Sequence, residues 1–131
     1  MIKLMNFNRD EIKFETTKFP DGTTQIWKLE EYLNKSVQSY YILWQFENET
    51  EVFQVCQLAD LIFNTCKFYP VVFAPYLPYG RQDKDISNKS TFAKLTMQKA
   101  LKASGVPSIY TYDAHSSKNE IMPIVSICPV N

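Results

Sequence analysis

Val71-Val72-Phe73-Ala74-Pro75-Tyr76-Leu77-Pro78-Tyr79-Gly80-Arg81-Gln82-Asp83-Lys84-Asp85 decides the fold. Its first four residues are an apolar run bounded by prolines, the pattern of a buried strand. A loop leaving the carboxyl end of such a strand is where open α/β sheets bind ligands. This loop carries the cations Arg81 and Lys84, the amide Gln82, the carboxylates Asp83 and Asp85, and two tyrosine rings. Guanidinium and ammonium groups suit phosphate oxygens, an amide can read an adenine edge, and carboxylates hold hydrated magnesium. Together they point to ATP with Mg²⁺. Composition alone also allows a plain solvated charged loop.

Working outward, Tyr40 to Trp44 reads as another buried strand. From Glu47 to Lys67 the pattern turns helical, with Val52, Val55, Cys56, Ala59, Ile62 and Phe63 forming one apolar stripe at three- and four-residue spacing. Ser90 or Thr91 can cap a second helix through about Ala103, and Gly105 is its left-handed stop. Ser108 to Tyr112 is a third short core strand. Strand, helix, strand, helix, strand implies βαβ crossovers and a parallel sheet. At the front, Glu11 to Lys18 alternates as a half-exposed strand does, and Thr23 to Leu29 returns as its partner. Between them Pro20 presets φ and Gly22 accepts a positive one. The expected hairpin pairs at one edge of the sheet, and Ile2 to Asn6 leaves little room ahead of it.

The order of these pieces resembles the ribose-phosphate pyrophosphokinase (phosphoribosyl pyrophosphate synthetase) family. There a strand runs into a Pro-Tyr-x-x-Tyr-x-Arg-Gln-Asp loop, then a helix opening near Ala-Lys-Leu, a Gly turn, a short strand and Asp-x-His-x-x-Gln. The matching pieces are Pro75 to Asp83, Ala93 to Leu95, Ser104-Gly105-Val106, Ile109 to Tyr112, and Asp113 to Ser116. Phe19-Pro20-Asp21-Gly22 resembles the family's Phe-x-Asp-Gly-Glu turn, with Thr23 in the place of the Glu. The likeness runs from about Phe14 to Ser117. The loop between Asp85 and Phe92 is one residue short of the common pattern, and Lys118 replaces its Gln.

The resemblance implies a phosphoribosyltransferase-like three-layer sandwich, a mostly parallel sheet with an edge β-hairpin. It implies ATP contacts from Arg81 and Gln82, a polar floor from Asp83 and Asp85, and a Mg²⁺ and phosphate locus at Asp113 and His115, with His115 catalytic. Read without it, Asp113 and His115 are two residues on one face of a strand end and as readily a simple hydrogen-bonded pair. In the family the hairpin tip reaches a neighbouring subunit's nucleotide site, which would give Phe19, Asp21 and Thr23 ATP-binding roles in a homo-oligomer with shared sites. Otherwise Phe19 folds back on its own sheet. Tyr76 and Tyr79 either line the pocket or pack, and Lys89 and Lys94 match no assignable position.

Length and charge agree with one domain. At 131 residues and 45% hydrophobic content the chain can bury a real core. Fourteen basic and fourteen acidic residues give a formal net charge of zero, which recommends neither nucleic acid nor an anionic membrane. The longest apolar run, Ile121 to Ile127, is far too short to span a bilayer, and the start shows no secretory signal. Cys56, Cys66 and Cys128 are odd in number and lack Cys-x-x-Cys spacing, as reduced packing residues of a cytoplasmic protein would be.

The expectation is therefore a single N-terminal-type domain over residues 1–131 of such an enzyme, its C-terminal catalytic domain absent. The complete enzyme would convert ATP and ribose 5-phosphate to phosphoribosyl pyrophosphate and AMP, mainly by positioning and charge neutralisation. Two alternatives stand beside it. One is a non-catalytic regulatory or assembly module; the other is a related diphosphokinase acting on another ribose 5-phosphate compound, such as ADP-ribose.

Overall fold

Each strand of the main sheet gives one apolar residue to a single row. In register across the sheet stand Ile12, Leu4, Ile42, Val72, Ile109 and Ile124. All but Ile124 are buried. The computed structural model describes residues 1–29, 33, 39–79, 93–112 and 121–127. Within them, β1 (Ile2–Asn6), β2 (Glu11–Ile12), β5 (Tyr40–Trp44), β6 (Val71–Phe73), β7 (Ile109–Thr111) and β8 (Ile124–Ser126) form a six-stranded sheet. Its order is β2-β1-β5-β6-β7-β8. The four strands from β5 to β8 run parallel, and β1 and β2 are antiparallel additions at one side.

Two helices cover the row. Helix α1 (Thr50–Cys66) joins β5 to β6, and α2 (Ala93–Ala103) lies between β6 and β7. Right-handed connections between successive parallel neighbours put both helices on the same face. They touch there, with the Cys56 thiol 3.6 Å from the Ala100 carbonyl. Glu51 starts α1 by reaching back to the Asn48 and Glu47 N–H groups, at 3.2 and 2.6 Å, in the manner of a capping box. Gly105, at φ +96°, ends α2. The Val106 N–H meets the Leu101 carbonyl at 3.0 Å and the Gly105 N–H meets that of Lys102 at 3.1 Å, a Schellman stop.

One expectation needs correcting. The front hairpin, β3 (Glu15–Lys18) with β4 (Thr24–Trp27), is a separate two-stranded sheet and not an edge of the main one. It lies against α1, where the Gln57 side chain accepts from the Ile26 N–H at 2.9 Å and donates to the Thr24 carbonyl at 3.1 Å. The amide completes β4's free edge as a neighbouring strand would, so the hairpin hangs on the helix. The place at the sheet edge is taken by β1 and β2. They are joined by a turn in which the Asn6 side chain accepts from the Asn8 and Asp10 N–H groups at 2.9 and 3.0 Å. The structure is thus mixed α/β with a mostly parallel sheet. Of the expected three layers, the described helices supply one, and the second face of the sheet carries no helix among the described residues.

Candidate functional site

The two motif-bearing segments leave the sheet side by side. β6 and β7 are parallel neighbours, with Phe73 in register with Tyr110. Beyond that pair the Ala74 N–H donates to the Tyr110 carbonyl at 2.8 Å. The Pro75 carbonyl then takes two donors, the Tyr112 N–H at 3.3 Å and the Thr111 hydroxyl at 3.1 Å. Thr111 is wholly buried, so its hydroxyl holds the two strand ends together out of water. Tyr112 directly precedes Asp113, and Pro75 opens the run toward Arg81.

After Pro75 the chain alternates sharply between water and core. Tyr76 is 81% exposed, while Leu77 and Pro78 are buried. Tyr79 adopts φ +61°, a left-handed conformation that costs a side-chain-bearing residue and persists only where contacts hold it. The contacts are present. Its ring meets Phe46 edge-on at 5.7 Å, and its hydroxyl donates to the Glu49 carboxylate at 2.6 Å. Burial and then the Glu49 carboxylate push the Tyr79 phenol up to about 12. Phe46 in turn lies 5.8 Å from Trp44 at the carboxyl end of β5. A cavity of about 320 Å³ opens beside this cluster, between the first turns of α1 and α2, lined by Glu49, Val52, Tyr79, Thr96 and Met97. Lys94, in the first turn of α2, is buried as well.

The hairpin tip is the other part of the expected site. Pro20-Asp21-Gly22 forms a three-residue loop, closed by the Phe19 N–H on the Thr23 carbonyl at 2.8 Å and the Gly22 N–H on the Phe19 carbonyl at 2.8 Å. Gly22 sits at φ +89°, the glycine position of such a loop. Thr23 turns its hydroxyl, at 2.6 Å, and its N–H, at 3.0 Å, onto the Asp21 carboxylate. The hydroxyl first, and then the N–H, hold the Asp21 carboxyl below its ordinary value. Thr23 in the position of a family Glu therefore stabilises the turn itself. Phe19 is 41% exposed and does not fold back into a core.

Of the predicted site residues, Phe19, Asp21 and Thr23 are thus located together. Arg81, Gln82, Asp83, Asp85, Asp113 and His115 lie outside the described residues, as do Cys128 and the helix-capping positions Ser90 and Thr91. The contacts of the tip run within the hairpin and, through β4, to α1. Among the described residues no cluster of three or more metal-ligating side chains occurs. Cys56 and Cys66 are buried thiols in no disulfide, and burial raises their pKa, in keeping with packing roles. Sequence reasoning missed the Glu49–Tyr79 pair and the Thr111 hydroxyl. Tyr79 stood out as an aromatic, but a partner 30 positions away leaves no local signal.

The fold matches the crystal structure of phosphoribosylpyrophosphate synthetase from Mycobacterium smegmatis with a TM-score of 0.72 at 18% sequence identity. The likeness is one of fold. It covers 92% of this chain and 41% of that one, so the chain spans less than half of the protein it matches. No protein-family model matches the sequence. No curated protein matches it either. The matched protein is an enzyme, and the expected architecture of a mostly parallel α/β sheet agrees with it at the level of the fold. Among the described residues no helix is long and apolar enough to cross a membrane.

Proposed function

We propose that this chain is the nucleotide-binding half of a ribose-phosphate diphosphokinase-like enzyme, with ATP at the carboxyl ends of β6 and β7. The observation that carries the reading is the doubly bonded Pro75 carbonyl. It joins the strand ends at Pro75 and at Thr111-Tyr112, which in sequence lead to the Arg81–Asp85 run and to the Asp113-x-His115 run. Adjacent loops at that end of a parallel sheet are the usual place for a ligand.

In this reading Arg81 pairs with phosphate oxygens, Gln82 reads the adenine edge, and Asp83 and Asp85 form the polar floor. Asp113 offers a hard oxygen donor suited to Mg²⁺, with His115 beside it. The metal, when bound, would neutralise phosphate charge. The exposed Phe19 ring and the Asp21 carboxylate of a second subunit would close the nucleotide site, in a homo-oligomer of cytoplasmic location. Transfer of the diphosphoryl group to ribose 5-phosphate, and the choice of acceptor, would belong to the complete enzyme.

Calorimetric titration with ATP and magnesium tests the reading. The chain should bind, and Arg81→Ala should weaken binding on the order of tenfold or more, since a charge-assisted contact is worth about 1.5–3 kcal/mol. Gln82→Ala should cost less and blur adenine against guanine. Unchanged titrations for both would return the loop to plain surface. Release of AMP from ATP and ribose 5-phosphate by this chain alone would show a complete enzyme instead of a half. Mixed Phe19→Ala and Arg81→Ala chains should recover some intact sites if the sites are shared.

A further inference from the structure

Two glutamates at the start of α1 do different things. Glu51 reaches back to the Glu47 and Asn48 N–H groups. Glu49 stands at the N-cap, where a side-chain oxygen ordinarily accepts from the helix's own N–H groups, yet it makes no such bond. Its carboxylate accepts from the Tyr79 hydroxyl instead, at 2.6 Å and across 30 positions of chain. Tyr79 for its part adopts φ +61°, a conformation that glycine takes freely and a residue with a Cβ does not. Gly80 follows directly in the sequence. The left-handed residue is nonetheless the tyrosine, whose side chain can be held from outside. Its ring meets Phe46 edge-on, and Phe46 leans on the fully buried Trp44. The segment from Pro75 to Tyr79 is therefore tied at both ends, to β7 through the Pro75 carbonyl and to α1 through the Tyr79 hydroxyl.

We propose that Glu49 and Tyr79 are positioning residues for nucleotide binding: their hydrogen bond holds Tyr79 left-handed and so sets the direction in which the chain leaves toward Arg81. The proposal rests on the reading of the Arg81–Asp85 run as the ATP contact, and adds that the start of α1 controls it. Glu49 is exposed, so water could serve both groups, and a bond that water can replace contributes little to the stability of the fold. What it does fix is a direction. Each residue spans about 3.5 Å of chain, so a swing of φ at Tyr79 is magnified by the time the chain reaches Arg81. A guanidinium that must meet phosphate oxygens within hydrogen-bond reach loses the contact on a shift of about 1 Å. The ionised acceptor makes the Tyr79 bond a charge-assisted one, the kind that holds a geometry best.

Four chains decide it: the parent, Tyr79→Phe, Glu49→Ala and Glu49→Gln. The first readout needs no nucleotide. Under brief trypsin digestion the rate of cleavage after Arg81 follows how often the backbone there is open to the protease. Tyr79→Phe and Glu49→Ala should raise that rate about fivefold, the scale of one hydrogen bond, with cleavage after Arg9 unchanged as an internal control. Glu49→Gln keeps an acceptor for the phenol and should stay near the parent. The second readout is calorimetric titration with ATP and magnesium. There the same two variants should bind about fivefold more weakly, and Glu49→Gln should again match the parent. Placed in an Arg81→Ala chain, Tyr79→Phe should add nothing to the loss, because it acts through Arg81. Equal cleavage after Arg81 in all four chains overturns the proposal. So do equal ATP affinities, or additive losses for Tyr79→Phe and Arg81→Ala. A parent that takes up no ATP sinks the reading of function instead, and the trypsin rates then decide the positioning by themselves.

Discussion

The two faces of the one sheet obey different rules. On the helix face, Leu4, Ile42, Val72 and Ile109 are all wholly buried, and each has its counterpart in the next strand. One residue along, the other face presents Tyr41 and Leu43 from the same strand, with no helix above them among the described residues. Apart from Lys3 at its β1 end the second row is apolar too, so hydrophobicity alone barely tells them apart. What separates them is which side the crossovers take, and right-handed connections decide that for both helices at once. The covered face holds the fold together; the open one is surface that the chain can lose or change at little cost to stability.

The largest test sets two neighbouring residues against each other. Ile42→Ala should destabilise by about 2–5 kcal/mol, the range for deleting a buried aliphatic side chain. Tyr41→Ala, directly before it in β5, should stay within about 1 kcal/mol. Urea unfolding measures both, and equal losses would mean that the open face is packed after all.

A smaller effect should follow from the hairpin's dependence on the covered side. Gln57→Leu leaves the Ile26 N–H and the Thr24 carbonyl without their α1 partner. A partly buried pair of this kind costs about 1–3 kcal/mol. The loss should appear as faster amide exchange in β4, with β6 unchanged; uniform exchange across both would show that the hairpin does not hang on Gln57.

Smaller again is the start of α1. Burial opposes ionisation of Glu51, but the Met1 ammonium and the Glu47 and Asn48 N–H groups outweigh it and lower its pKa. A lowered pKa stabilises the fold above the unfolded value of about 4.3, and that contribution disappears as pH falls through the folded value. Glu51→Gln should cost about 0.5–2 kcal/mol at neutral pH and flatten the acid limb of the stability profile. An unchanged acid limb would assign that limb to other carboxylates.

The smallest effect lies at the alkaline end. The Tyr79 phenol, raised from 10.0 to about 12, keeps its proton in the folded state while the unfolded chain has lost it. The stability tied to it is complete below pH 10 and fades as pH rises toward 12. Tyr79→Phe should remove that fade, and phenolate absorbance should show one tyrosine titrating late. If every tyrosine titrates together near 10, the Glu49 bond is not made in solution.

How much of this was legible in advance follows from periodicity. The strands at Tyr40–Trp44, Val71–Phe73 and Ile109–Thr111 and both helices carry continuous apolar runs or a three-four stripe, and these patterns need no partner to be read. β8 was hidden because Ile124–Ser126 earns its place only by pairing with β7, and by itself is part of an apolar run. β1 is too short to stand out in the sequence as more than a lead into the hairpin, though it contributes the fully buried Leu4. The hairpin was legible but its location was not, since the edge it uses is a glutamine side chain on a helix. The turn at Pro20-Asp21-Gly22 was legible from its residues, whereas a binding role for Phe19, Asp21 and Thr23 comes from the resemblance alone. The Pro75 carbonyl was not legible, because a backbone acceptor shared by two strand ends leaves no mark in side-chain identity.

The sheet also has a seam, where parallel strands meet antiparallel ones between β5 and β1. On one side of it, each strand from β5 to β8 pairs with its nearest predecessor or successor in the sheet series, so that half can assemble stepwise along the chain. On the other side, β1 and β2 close on themselves through the Asn6 turn. Contacts near in sequence form before distant ones, whose loop must first be closed. The seam closes loops of 34 to 42 residues, much like the 37 between β6 and β7, so chain distance does not set it apart and only its antiparallel sense does. A chain nicked between Leu29 and Ser39 would still hold both of its pieces, and the two fragments should find each other again through the five register pairs from Ile2–Trp44 to Asn6–Tyr40.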